Sequence, residues 1–450
     1  MVARQTFPDP IVVVVRHGFF LTDKTIGGSQ SFDFFQNPVT PRPGAGSPLD
    51  PRTGATAGNA IALNPRANIG MIRLRTWKSM TGMHGFPTEM AFDSRPALGP
   101  GVARAAARAL AILALALATS GCGGFVARRL VQSPNTYPTW LRPRARVELA
   151  LDQKYLTNFP TRFVEVGPPA ARLRYRIVEP ADYAFAVAST NWASRGKPHY
   201  HFAFRANVPG PTNVWTGQPR GTVLLLHGYG VAQFAMSPWA LRLAQDGWRC
   251  VLVDLRGHGK STGSRIYYGV QETRDLRQLL DQLARDGQLA GPVAAVGESF
   301  GATLALRLKA ADPRVDSVVA IAPYAVLSNA VLNISSEYAS WVPRSALRAG
   351  IKRLPRLLRI SPEELNTTTL LMRNPVPALF VAGGDDKVSP ATEVIKLYAL
   401  AAPGSELVVV PQASHESVTY FFEELVPPVL AWLDAEHAKT DRGKPPAGAH

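Results

Sequence analysis

Cysteine is nearly absent: Cys122 and Cys250 are the only two in 450 residues, which excludes a disulfide-built fold. Carboxylates are also few, 33 Asp and Glu against 49 Lys and Arg, giving a net charge of +16. The excess is spread over arginine-rich stretches and not gathered into a nucleic-acid motif, so the expectation is a basic surface and no nucleic-acid partner. Metal-ligand spacing is missing too. His199-Tyr200-His201 falls in an alternating run with Phe202 and Phe204, which reads as a strand, and neither metal nor cofactor is expected. The apolar run Ala109 to Ala118 is ten residues, short of the ~20 a spanning helix needs. Apolar residues themselves are plentiful at 46%, enough for a substantial core.

The chain falls into stretches of different character. Residues 1–89 are rich in Gly, Pro, Asn and Thr with no sustained period, and are expected to be a non-native or disordered extension. Residues 90–122 read as a signal peptide. Arg104 and Arg108 precede the apolar run, and Thr119-Ser120-Gly121-Cys122 ends it with small residues. Small residues before a cysteine resemble a bacterial lipobox, which would make Cys122 the lipid-bearing residue; Thr119 departs from that pattern. Translation is expected to begin at Met90, Met80 or Met83, and a native peptide from before Met71 would overturn this. The implied location is export: an envelope lipoprotein, or a periplasmic or secreted protein. Cys250, beside Val251 and Leu252, is expected to be a buried free thiol.

The chemistry is carried by Gly297-Glu298-Ser299-Phe300-Gly301, between the apolar run Pro292–Val296 and a helical segment from Ala302 to Ala311. A strand that turns into a helix on Gly-x-Ser-x-Gly is a nucleophile elbow, with glycines where side chains would collide. Downstream, the helix dipole favours developing negative charge. With such elbows an acid and then a histidine follow the serine. Only His415, His437 and His450 lie beyond Ser299, and the last two fall in a polar tail. His415 sits in a short loop after the β-like run Glu406–Val410, as a general base should. The apolar strand ending in Gly383-Gly384 delivers Asp385 and Asp386; either could reach, and Asp386 is preferred, with Asp385 as turn-former. His227-Gly228-Tyr229-Gly230 follows the buried run Thr222–Leu226. The Tyr229 and Phe300 amides are the candidate oxyanion donors, and His227 is read as structural.

Four segments in order, LLLHGYG, VDLRGHGKS (Val253–Ser261), VGESFG and GGDDKVSP before His415, resemble the α/β-hydrolase superfamily in its serine-esterase and serine-aminopeptidase-like branch. The resemblance runs from about Gly221 to Leu433. It implies a helical cap after the strand that follows the elbow helix, here about 324–374. Serine at the elbow disfavours the epoxide hydrolases, dehalogenases and dienelactone hydrolases of that superfamily. His258-Gly259-Lys260-Ser261 does not complete a phosphate-binding loop, since Asp254 stands where that motif needs glycine.

The expected fold class is α/β: a doubly wound, mostly parallel sheet with a cap insertion and an N-terminal β extension. Strands are expected at Arg249–Asp254, Pro292–Gly297 and Asp316–Ile321, helices at Gln271–Leu283 and Ser417–Ala435. Residues 123–220 form linker and β extension, including Arg172–Val178 as an amphipathic strand and Tyr183–Val187; 221–437 form the hydrolase domain, and 438–450 a disordered tail. The cap carries Arg344, Arg348, Lys352 and Arg356 four apart, with Arg353 and Arg359 beside them, while Gly350 and Pro355 interrupt any long helix. It is either a solvated face or a basic face for a membrane surface or anionic substrate. The expected activity is ester hydrolysis through an acyl-enzyme on Ser299, His415 and Asp386. A small acyl ester is the expected substrate, and thioester or peptide cleavage the alternative. A silent ligand-binding envelope protein is the alternative of another class.

Overall fold

The structure is a computed structural model that describes residues 11–15, 123–136, 156–194, 197–208 and 217–442. The proposed signal segment, Cys122 and the candidate start positions lie outside the described residues. The described residues all belong to one compact unit.

An eight-stranded sheet runs through it. Its strands are β2 (Arg162–Val166), β3 (Ala171–Val178), β6 (Thr222–Leu226), β7 (Arg249–Val253), β8 (Val293–Glu298), β9 (Val315–Ile321), β10 (Leu379–Gly383) and β11 (Glu406–Val410). Their order is β11-β10-β9-β8-β6-β7-β3-β2. From β7 to β11 every pairing is parallel, whereas β3 joins β7, and β2 joins β3, antiparallel. This is a doubly wound, mostly parallel sheet with an antiparallel extension.

Burial on both faces explains why the parallel strands read as unbroken apolar runs. In β6 alternate residues enter opposite cores, Leu224 and Leu226 on one side, Val223 and Leu225 on the other. The first core is closed by α3 (Val270–Arg285) and α4 (Phe300–Ala311), the second by α2 (Ser237–Gln245) and α10 (Phe422–Arg442). Cys250 of β7 is buried and free, and burial pushes its thiol pKa well up.

Four details depart from expectation. Arg174 and Arg176 of β3 are buried, not a polar face. Arg174 pairs with Asp254 at 2.6 Å, and Arg176 donates to the Phe159 carbonyl at 3.1 Å, so paired cations replace the solvent the alternation implied. Tyr183 lies before β4 (Ala186–Ser194), its hydroxyl donating to the Glu179 carbonyl at 2.6 Å. β4 pairs with β5 (Lys197–Arg205), which pairs with β1 (Ile11–Val15), in a separate three-stranded sheet. The β1 residues fall within the stretch expected to be disordered; five consecutive β-branched side chains strongly favour a strand. Helix α10 also continues to Arg442, into the expected tail.

Between β9 and β10 the cap comprises α5 (Leu327–Tyr338), α6 (Arg344–Ile351), α7 (Leu354–Leu358) and α8 (Thr367–Arg373). The break between α6 and α7 falls next to Gly350 and Pro355. A further helix, α1, spans residues 123–131 and lies against α6: a side chain added at Gly350 would strike Val126. Among the described residues no helix is long and apolar enough to cross a membrane.

Candidate active site

Ser299 connects β8 to α4 with φ 53° and ψ −111°, a backbone conformation that costs a non-glycine residue on the order of 1–3 kcal/mol. The surroundings enforce it. The Ser299 amide donates to the Ile321 carbonyl at 2.7 Å, and the next turn of α4 closes with Thr303 N–H on the Ser299 carbonyl at 3.1 Å. Gly301 packs so tightly on β6 that a Cβ there would land on the Leu226 carbonyl oxygen.

His415 arrives from the loop after β11. Its Nε2 lies 2.9 Å from Ser299 Oγ and its Nδ1 2.8 Å from Asp386 Oδ2. Asp386 is fixed in turn: Oδ1 accepts the Val388 and Ser389 amides at 2.8 and 2.7 Å. The loops after β10 and β11 meet closely, since the Asp385 amide donates to the Ala413 carbonyl at 3.0 Å and a Cβ at Gly384 would collide with the Pro411 carbonyl. That contact brings Asp386 to His415. Asp385 is exposed and lines the cleft next to His415.

The proton on this histidine follows from its neighbours. Asp386, with its side chain fully buried, requires a donor at Nδ1, which leaves Nε2 as the acceptor facing the serine hydroxyl. Burial pulls the His415 pKa down, but the charge and hydrogen bond of Asp386 and the charge of Glu298 outweigh it, so the net shift is upward from 6.5. Glu298 was not singled out from the sequence. Its place inside the elbow was the available signal.

The oxyanion candidates lie on either side. Phe300 opens α4, where first-turn amides have no intrahelical acceptor. The turn holding Tyr229 runs beside the serine: a Cβ on Gly228 would sit 3.6 Å from the Ser299 Cβ. Next to His415 is a cleft lined by Glu337 and Tyr338 of α5 together with Asp385, Lys387, Ser414 and Glu416. No sequence motif marked Glu337 or Tyr338, because the cap segment that brings them to the cleft carries no recognisable pattern.

The other histidines in the motifs hold structure. His227 is fully buried; Nδ1–H donates to the Gly228 carbonyl at 2.7 Å and Nε2 accepts the Leu255 amide at 3.1 Å. Burial lowers its pKa to about 4, and that of buried His258 to about 3.

Fold and geometry together place a serine, a histidine and an aspartate in one hydrogen-bonded line at the carboxyl edge of a doubly wound sheet. Residues 217–375 match the family model Hydrolase_4, serine aminopeptidase S33. Among curated proteins the chain is similar to the uncharacterized protein YqkD of Bacillus subtilis (24% identical over 201 residues, 43% of this chain) and to the uncharacterized protein Rv2307c of Mycobacterium tuberculosis (27% over 194 residues, 43%). It spans 64% and 62% of the lengths of those relatives. Among solved structures it is similar to the Pyrococcus furiosus esterase Pf2001, at 21% identity and TM-score 0.45, covering 62% of this chain and 91% of that one.

Proposed function

We propose that the chain hydrolyses carboxylic esters through an acyl-enzyme on Ser299. The observation that carries this is the continuous hydrogen-bonded path from Ser299 Oγ through His415 to Asp386, at 2.9 and 2.8 Å. Ser299 Oγ attacks the ester carbonyl as His415 Nε2 takes its proton, and Asp386 stabilises the imidazolium. The carbonyl electrons move onto oxygen, which faces the Tyr229 and Phe300 amides. Collapse expels the alcohol, protonated by His415. Water activated by the same histidine then releases the acid and restores Ser299.

Ester comes first because an alcohol leaves with less help from His415 than an amine does. A peptide amide is the second reading. It is favoured by the family matched and by Glu337, Asp385 and Glu416 beside His415, which suit a free amino group.

The test compares p-nitrophenyl esters of increasing acyl length with aminoacyl p-nitroanilides, on wild type and Ser299→Ala. Ester turnover that vanishes in the variant supports the first reading, and anilide turnover alone supports the second. No turnover together with no labelling of Ser299 by a fluorophosphonate would turn the assignment to a ligand-binding protein.

A further inference from the structure

The cap and the first described helix share one unusual property. Residues 341–360 contain Arg344, Arg348, Lys352, Arg353, Arg356 and Arg359, and no Asp or Glu. Residues 123–131 add Arg128 and Arg129, again without an acid. All eight are exposed. Elsewhere the surface cations Arg220, Arg249 and Arg314 sit on carboxylates, but none of the six cap cations has a carboxylate partner among the described residues.

Large apolar side chains stand out among them. Trp341 is 83% exposed just before α6, and Phe125 of α1 is 57% exposed. Neither fills a core, and exposed aromatic residues among exposed cations match the chemistry of a lipid headgroup boundary.

The path of the chain supplies the orientation. α1 lies against α6, and Gly123 packs so closely on Arg353 that an added Cβ would strike its guanidinium. α1 therefore begins beside the basic cap, five residues after the apolar run that ends at Ala118 in the sequence. Anything that holds that run at a bilayer holds α1 and α6 there too.

We propose that α1 and α6–α7 form a docking face for an anionic lipid bilayer, with Phe125 and Trp341 entering the headgroup region and the cap cations pairing with lipid phosphates. Single apolar anchors bind membranes only marginally, and a basic patch is the second signal that makes such binding stable. Each cation near an anionic surface contributes ~1 kcal/mol, so several acting together dominate the interaction. Docked this way, the cap helix α5, which lines the cleft through Glu337 and Tyr338, belongs to the same insertion that meets the bilayer. The proposal does not depend on which bond the site cleaves.

The test is vesicle co-sedimentation of the full chain, using phosphatidylcholine alone and phosphatidylcholine with about one-third phosphatidylglycerol. Wild type is expected to bind the anionic vesicles at least about tenfold more tightly, with the gain lost at high salt. Arg348→Glu/Lys352→Glu/Arg356→Glu is expected to bind them at least about a hundredfold more weakly, and Phe125→Ser/Trp341→Ser about tenfold more weakly, with melting temperatures kept near wild type. Should the charge-reversed variant fail to fold, the salt dependence and the aromatic variant decide. Equal binding to both vesicle types would overturn the proposal, as would a folded charge-reversed variant that binds like wild type. Retention on heparin or RNA without vesicle binding would overturn it in favour of a soluble polyanion.

Discussion

Two places at the carboxyl edge of the same sheet bring together an aspartate and histidine chemistry, and they do opposite things. After β7, Asp254 has its carboxylate consumed by the Gln233 amide at 2.9 Å, the Lys260 amide at 2.8 Å and buried Arg174 at 2.6 Å. His258 in that loop donates to the Arg256 carbonyl at 2.9 Å and never reaches the cleft. After β10 and β11, Asp386 spends one oxygen on its own loop and offers the other to His415, which faces Ser299. The same residue types give a locked turn in one place and a reactive pair in the other. What separates them is whether a nucleophile lies at the free end of the hydrogen-bonded chain.

The largest test of this contrast is removal of that free end. Ser299→Ala or His415→Ala is expected to reduce ester turnover on the order of 10⁴-fold or more, with the double variant no worse than the single ones. Steady-state kinetics checks it. Additive losses would mean that the two side chains do not act as a unit.

The same substitution in both loops sharpens the comparison. Asp386→Asn keeps an acceptor for the Val388 and Ser389 amides but presents the wrong partner to His415 Nδ1. It is expected to reduce kcat on the order of 10⁴-fold while melting near wild type. Asp254→Asn removes the charge that fully buried Arg174 pairs with, and is expected to destabilise by about 3–5 kcal/mol with little change in kcat for the fraction that remains folded. Denaturant titration and kinetics on both variants would read the crossover, and the reverse pattern would exchange the roles assigned to the two loops.

The two kinds of histidine also titrate on opposite sides of 6.5. His415 is shifted upward and must be neutral to accept the serine proton, so kcat/KM is expected to begin falling above pH 6.5 as acid is added, by about tenfold per pH unit below its pKa. His227 and His258 are depressed to about 4 and about 3. Between those values and 6.5 the unfolded chain binds protons that the folded one refuses. Their stabilising share is thus complete above pH 6.5 and declines as pH falls from there to about 4 and about 3, at up to ~1.4 kcal/mol per pH unit for each. Melting against pH for wild type and His258→Gln checks this, with a shallower acid slope expected in the variant.

How much of this could be read beforehand depended on whether the signal was local. The elbow is a steric demand written in five adjacent residues, and the apolar strands announce a sheet buried on both faces. Ser299, Asp386 and His415 could be named from their order along the chain, and the structure brings those three within hydrogen-bond distance. Arg174 could not be read correctly, because its partner Asp254 is supplied by the loop after β7, far away in sequence. Glu337 and Tyr338 were invisible for the same reason, the cap being folded over the cleft by contacts that leave no short-range pattern.

The smallest expected effect concerns the pair that the sequence alone left open. Asp385 and Asp386 are neighbours, and both are delivered by β10 to the cleft. Asp386 is 4% exposed, is fixed by two amides and meets His415. Asp385 is exposed, and its fixed contact is through the backbone amide on the Ala413 carbonyl, which a side-chain substitution leaves intact. Asp385→Asn is therefore expected to change stability by no more than about 0.5 kcal/mol and turnover of a neutral ester by no more than a few-fold. For an aminoacyl substrate the loss should appear in KM and not in kcat, since a carboxylate beside the cleft would bind the ammonium without entering the chemistry. A drop in kcat approaching that of Asp386→Asn would show that His415 can turn to the exposed aspartate. The closed loop contact between Gly384 and Pro411 would then not be what selects the acid.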